Sequence, residues 1–332
     1  MVHEKVTIVD IARITGVSPM TVSRAINRPE LVSDKTRDEI LRVVRQKGFV
    51  LNNAARMLVS HRSRVVAVII PRITNPANAD VFQGLSDGLE EHGLSLLLGM
   101  DKAQPDIEEK LIMDVLGWRP AAIVLTGLDH SDTARKALRN AGCPVVELAD
   151  IDGDAMDISI GLSHRSASHA LTRELLKKGY RKTAYLYFDA PQNRRITERL
   201  GGYCDALQEA GVKRETIIPI PDLSVSAARS GAQQIMALKA RPRLVICSND
   251  LLAISASQEF IRAGLRVPED IAVAGFEDIE LASAVHPALT TVRTNLYGSG
   301  MFAADAIVKR LDGRRARRRI DMGYEIVWRD ST

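Results

Sequence analysis

The chain has 332 residues, 45% apolar and 26% charged, the composition of an ordinary globular protein long enough for two or three domains with sizeable cores. No apolar run reaches the roughly 18 residues of a membrane span, and the N-terminal stretch carries Glu4 and no apolar core, which excludes a signal peptide. The net charge of +4 is uneven: residues 1–64 hold twelve Lys and Arg against six Asp and Glu, whereas the rest hold 33 against 35, so a polyanion partner is indicated for the head alone.

Three short helices are predicted in that head. Thr7 caps the first, over residues 8–14, with Asp10 at the third position completing a capping box. Gly16 suits the left-handed residue of a tight turn. Ser18 caps a second helix to Asn27, with Pro19 at its first position, and Arg28-Pro29 stops it. Ser33 caps a third, Asp34–Lys47, whose apolar stripe Ile40, Leu41, Val43, Val44 has helical spacing. Two short helices joined by a glycine-containing turn, with a third behind, form a helix-turn-helix, whose second helix presents its first residues to base edges. Pro19, Met20 and Arg24 would face bases, while Ser18, Thr21 and Ser23 suit phosphate oxygens. A three-helix packing unit without DNA would show the same core.

The strings Thr7-Ile8-Val9-Asp10-Ile11-Ala12, Gly16-Val17-Ser18-Pro19-Met20-Thr21-Val22-Ser23-Arg24 and Val32-Ser33-Asp34-Lys35-Thr36-Arg37 resemble the DNA-binding signature of the lactose-repressor (LacI/GalR) family. The resemblance continues through Asn52-Asn53-Ala54-Ala55-Arg56-Met57-Leu58. It implies DNA-facing roles for Thr7, Asn27, Asn52 and Ala55 as well. It also implies a hinge helix that forms on DNA, with Leu58 wedged into the minor groove, where unstacking is offset by a bent duplex. Leu51 stands where relatives carry proline before that helix. Without the resemblance, 52–64 reads as a basic interdomain linker.

From Val65 the texture changes to apolar strands alternating with helices. Strands are predicted at Val65–Ile70, 94–98, 121–125, 145–148, 158–160, Thr183–Phe188, Leu244–Cys247 and 271–274, with helices such as 80–92, 163–178 and 195–210. Continuous apolar strands between helices predict parallel sheets covered on both faces, and 268 residues exceed one such sheet, so two lobes are expected. The break is expected near 150–156, with 290–293 as a further strand or crossover. The expected fold is thus an all-α helix-turn-helix head (1–50), a hinge (51–64) and an α/β body (65–332) with two parallel-sheet lobes, for which the resemblance implies a periplasmic-binding-protein-like effector and dimerisation domain.

Ligands of parallel sheets lie beyond the carboxyl ends of strands. Arg72, Asn75, Thr126, His130, Glu147, Asp150, Asn249 and Glu277 stand near such ends, with Arg199 on a helix before Gly202; any one of them could equally be a capping or surface residue. The resemblance assigns effector contacts to Arg199, Asn249 and Glu277. Relatives carry Asp in place of Glu277 and an aromatic ring near Asn78, whose loss favours a polar, open-chain ligand. The texture Ile123-Val124-Leu125-Thr126, His130, Pro144-Val145-Val146-Glu147-Leu148 resembles gluconate-operon repressors, which implies a sugar or sugar acid, its carboxylate on Arg199 or Arg72.

No phosphate-loop, metalloprotease or nucleophile-elbow motif occurs. Gly298, Gly300 and Ala303 mimic a dinucleotide loop, but too few residues follow for the βαβ halves it requires. Cys143, Cys204 and Cys247 lack metal-ligand spacing and read as buried thiols in a reducing cytoplasm, so no cofactor is expected. The basic run 314–319 reads as a solvated loop after Gly313, or as a second DNA patch. The expected partners are near-palindromic double-stranded operator DNA, a second copy of the chain in a homodimer and a small effector, with no membrane. The chain ends without a leucine heptad, which favours a dimer over a tetramer. The rival readings are a cytoplasmic sugar-binding protein, or an enzyme, of the same architecture without operator binding.

Overall fold

A computed structural model describes residues 6–49, 63–212 and 216–332, which fall into two units divided after Ser63. The head contains α1 (Ile8–Thr15), α2 (Pro19–Asn27) and α3 (Asp34–Lys47). Thr7 and Asp10 form the reciprocal capping box, Gly16 takes a left-handed φ of 68°, and the Ser18 hydroxyl accepts from the Thr21 N–H. Ser33 stands at the start of α3 but does not cap it as expected; its hydroxyl donates to Thr36 Oγ1 at 2.9 Å instead. Ile11, Ala12, Val22, Ala25, Ile40 and Val43 close a small core shared by all three helices.

In the body, β1 (Val65–Ile70), α4 (Pro76–Glu90), β2 (Ser95–Met100), α5 (Pro105–Gly117), β3 (Ala122–Thr126), α6 (Asp132–Arg139), β4 (Val145–Asp150) and β5 (Ile158–Leu162) alternate through the first lobe. The second lobe contains α7 (His164–Lys177), β6 (Thr183–Phe188), α8 (Arg194–Glu209), β7 (Ile217–Ile220), α9 (Val225–Met236), β8 (Leu244–Cys247), α10 (Asp250–Arg262), β9 (Ala272–Ala274), α11 (Leu281–Ala284) and β10 (Thr291–Arg293). The chain then returns with α12 (Leu296–Leu311) and β11 (Arg319–Asp321) to the first sheet, and ends in β12 (Glu325–Val327), antiparallel to β10.

The first sheet, ordered β11-β5-β4-β3-β1-β2, and the second, β7-β6-β8-β9, are parallel throughout. Each has an apolar core on both faces, which is why the central strands lack polar alternation. The break between lobes follows Leu162, later than residues 150–156, because β5 completes the first sheet beside β4. Strand β7 escaped prediction because it is a four-residue edge carrying Pro219, a residue that argues against a strand from sequence. Among the described residues no helix is long and apolar enough to cross a membrane.

Candidate functional site

Helix α2 turns Val22 and Ala25 into the head's core and leaves Pro19, Met20 and Arg24 exposed. Met20 retains 63% of its surface, high for so apolar a residue. The helix carries no Asp or Glu, and its N-terminal dipole favours an anion. Thr7 donates to Asp10 Oδ2 at 2.7 Å, and the Ser18 and Thr21 hydroxyls share a hydrogen bond of 2.9 Å, so Thr7 and two of the expected phosphate donors also build the caps. Ser23 is half-buried. The Asn27 side chain, Leu51, Asn52, Ala55 and Leu58 lie outside the described residues.

In the body, strand ends and helix starts converge on a cleft. A central cavity of about 200 Å³ is lined by Arg72, Asn75, Asn249, Glu277, Arg195 and Arg199, among others. Asn249 and Asn75 each cap a helix through Oδ1, which fixes both side chains. Arg199 is buried and fully engaged. Its Nε donates to His164 Nδ1 at 3.1 Å, its Nη1 to the Ser248 carbonyl at 2.5 Å, and Nη1 stands 3.4 Å from Glu277 Oε1. The guanidinium also lies 3.9 Å over the Phe276 ring, a cation–π contact. Burial, reinforced by Arg199 and Arg195, holds the His164 pKa well below its ordinary value. The neutral ring donates from Nε2 to the Ala149 carbonyl at 2.6 Å.

Burial raises the Glu277 pKa, opposed by Arg199, Arg195 and the Asn75 amide. Glu277 and Asp278 hold left-handed φ values of 116° and 58°, which few side chains adopt. Buried Asp250 anchors that loop by accepting from the Ile279 N–H at 2.9 Å and the Thr291 hydroxyl at 2.5 Å. On its far side, Asp278 meets Arg293 and Arg329, each at 2.7 Å.

Thr126 and Asp150 line an adjoining cavity with Asp101, Glu108 and Arg194. His130 and Glu147, expected beside them as effector contacts, line none of the three cavities of the cleft. Both are buried inside the first lobe. His130 Nδ1 stands 3.0 Å from Glu108 Oε2 and its Nε2 3.3 Å from Glu147 Oε1, while Glu147 Oε2 accepts from the Met156 N–H at 2.6 Å. Burial disfavours the imidazolium, but the hydrogen bond to Glu108 and the facing carboxylate of Glu147 prevail and raise its pKa to about 9. The trio is an internal ionic clamp; Glu147 sits within β4, too far from the strand's end to meet the cleft. Arg72 is exposed at the rim.

Sequence reasoning missed Arg195, His164, Phe276 and Asp222. Arg195 lines all three cavities. Burial, and then the neighbouring Arg199 charge, lower its pKa, and no described carboxylate comes within ion-pair distance. The four-residue spacing of Arg195 and Arg199 was a signal, since it sets both on one helical face. Two buried acceptors, Asp150 Oδ2 and Asp222 Oδ1, also face the cavities without a hydrogen-bond donor.

Residues 7–52 match the model of bacterial regulatory proteins, lacI family, and residues 172–332 that of the periplasmic binding protein-like domain. The chain is 33% identical to the HTH-type transcriptional regulator GntR of Pseudomonas aeruginosa, covering 98% of this chain and 95% of the relative. It is 31% identical to GntR of Escherichia coli K12, covering 96% of each. A solved LacI-family transcriptional regulator from Silicibacter pomeroyi superposes with a TM-score of 0.92 at 32% identity, over 98% of this chain and 99% of that one.

Proposed function

The chain belongs to the lacI family of bacterial regulatory proteins and is a sequence-specific DNA-binding transcription regulator, and from that premise we propose that it is a repressor governed by a sugar acid in its cleft. The observation that carries the ligand class is Arg195, a cation common to every cavity of the cleft and free of any bound carboxylate. A ligand carboxylate fits it, because a planar guanidinium pairs carboxylates in a forked geometry. Arg199 is already held by Ser248, His164 and Glu277. It therefore holds Glu277 in place, so that Glu277 and Asn249 take hydroxyls, and Asp222 Oδ1, without a hydrogen-bond donor, and Asp150 Oδ2, met only by Arg194 at 4.0 Å, accept from others. Neither Arg199 nor exposed Arg72 is then the carboxylate's partner. On the DNA side, Pro19, Met20 and Arg24 read bases. Two chains pair so that two heads read a near-palindromic site, since one head buries too little to select one.

Isothermal titration with gluconate and with glucose tests the effector reading. Wild type binds the acid; Arg195→Gln weakens it at least tenfold, the scale of one charged hydrogen bond. Preference for the neutral sugar in wild type, or unaltered acid binding by Arg195→Gln, overturns the reading. Footprinting with Arg24→Ala tests the other half: protection of the regulated promoter should be lost while weak general DNA affinity persists.

A further inference from the structure

The basic run that follows α12 has a place in the fold that its sequence does not reveal. Between 309 and 319 the chain holds seven Lys and Arg and one Asp. Three of the arginines are neutralised: Arg310 by Asp157 at 2.9 Å, Arg314 by Asp312 at 2.8 Å, and Arg319 by Asp152 at 3.5 Å. The side chains of Arg315 and Arg317 are exposed and make no hydrogen bond or ion pair among the described residues, and Arg318 reaches only a backbone carbonyl, that of Asp157, at 3.4 Å.

Sheet register fixes where these three cations stand. Arg319 pairs with Ser159 at the start of β5, Ile158 with Val146, Val145 with Ile123, and Ala122 with Val66. The run therefore lies beyond the amino ends of the parallel strands, opposite the cleft. Val65, where the chain arriving from the head enters the body, opens the same edge. Between β11 and β1 lie four strand spacings, or about 19 Å.

We propose that residues 315–318 form a second phosphate-binding surface, which takes the backbone of duplex DNA. This rests on the DNA-binding reading of the head and extends it to the body. Arginine forks suit phosphate oxygens, and three unneutralised ones gathered beyond the amino ends of one sheet complement a polyanion. An acidic polypeptide fits less well, because β11 offers only three residues as an edge for strand addition.

The test uses the full-length chain and a random-sequence duplex of about 40 base pairs, titrated from about 50 to 200 mM salt by fluorescence anisotropy. Each lost phosphate contact removes about 0.9 from the slope of log affinity against log salt. The triple variant Arg315→Gln, Arg317→Gln, Arg318→Gln should flatten that slope by about 2 to 3, whereas a triple Lys variant should retain it. Unaltered thermal midpoints show that both variants are folded. Equal slopes for wild type and the Gln variant overturn the inference while leaving the head's role intact. Loss of poly-glutamate binding with an unchanged DNA slope overturns it in favour of an acidic protein partner. A wild type that binds no DNA sinks the head's role and the inference together.

Discussion

Arg195 and Arg199 stand one turn apart on α8, yet their neighbours divide their work. Arg199 is held by His164, Ser248 and Glu277 and shapes the cavity, whereas Arg195 has no described carboxylate within ion-pair distance and is the group proposed to meet a ligand. His130 illustrates the opposite case, a charge kept away from ligand. Its pKa is raised in the folded state to about 9 from the ordinary 6.5. The stability it contributes is fully present below about 6.5 and is lost as pH rises through 9, amounting to about 3 kcal/mol. Thermal unfolding between pH 6 and 10 should show the wild-type midpoint falling across this window. His130→Gln should be less stable at pH 6 and should fall more gently, because its side chain has no proton to lose. Parallel curves for the two proteins would remove the imidazolium from the account.

Each element owes its limits to a few residues. In the head, Ser18 satisfies the Thr21 N–H at the start of α2, and its loss in Ser18→Ala should cost about 1 kcal/mol, measured by denaturant unfolding. In the body, α4 and α12 touch backbone to backbone. A Cβ on Gly84 would collide with the Tyr297 carbonyl, and one on Gly300 with that of Val81. Gly84→Ala should therefore destabilise the first lobe by about 1–3 kcal/mol, although alanine is the better helix former. A gain in stability would show that the helix pair relaxes freely.

On the scale of the whole molecule, three chain segments join the lobes, after Leu162, at Thr294 and at Met322. His164 and Thr294 begin or follow such segments, and His164 holds Arg199 in the cleft. Ligand that pulls Arg199, Glu277 and Arg195 toward the first lobe thus acts on the joints directly. A coupling of about 1–3 kcal/mol would alter operator affinity some five- to hundred-fold. Operator titrations with and without a saturating sugar acid measure it; identical affinities would mean that the ligand does not distinguish the two forms of the regulator.

The short-range features were legible in sequence because local chemistry fixes them. Thr7, Asp10, Gly16, Ser18 and Pro19 mark the helix boundaries of the head through caps and a left-handed turn, and β-branched runs mark the central strands. The strand-end rule brought Asn75, Asn249 and Glu277 to the cleft, but it misplaced Glu147 and His130, since position along a strand does not tell which carboxylates will meet an imidazole. Arg195, His164 and Phe276 depend on helices and strands distant in sequence, and β11 acquires its place only by pairing with β5 across 160 residues. Sequence by itself determined the helices of the head, the central strands of the body and the basic head. Tertiary structure alone decided which charges are neutralised and which stay free, because that depends on long-range approach of side chains that no local pattern encodes.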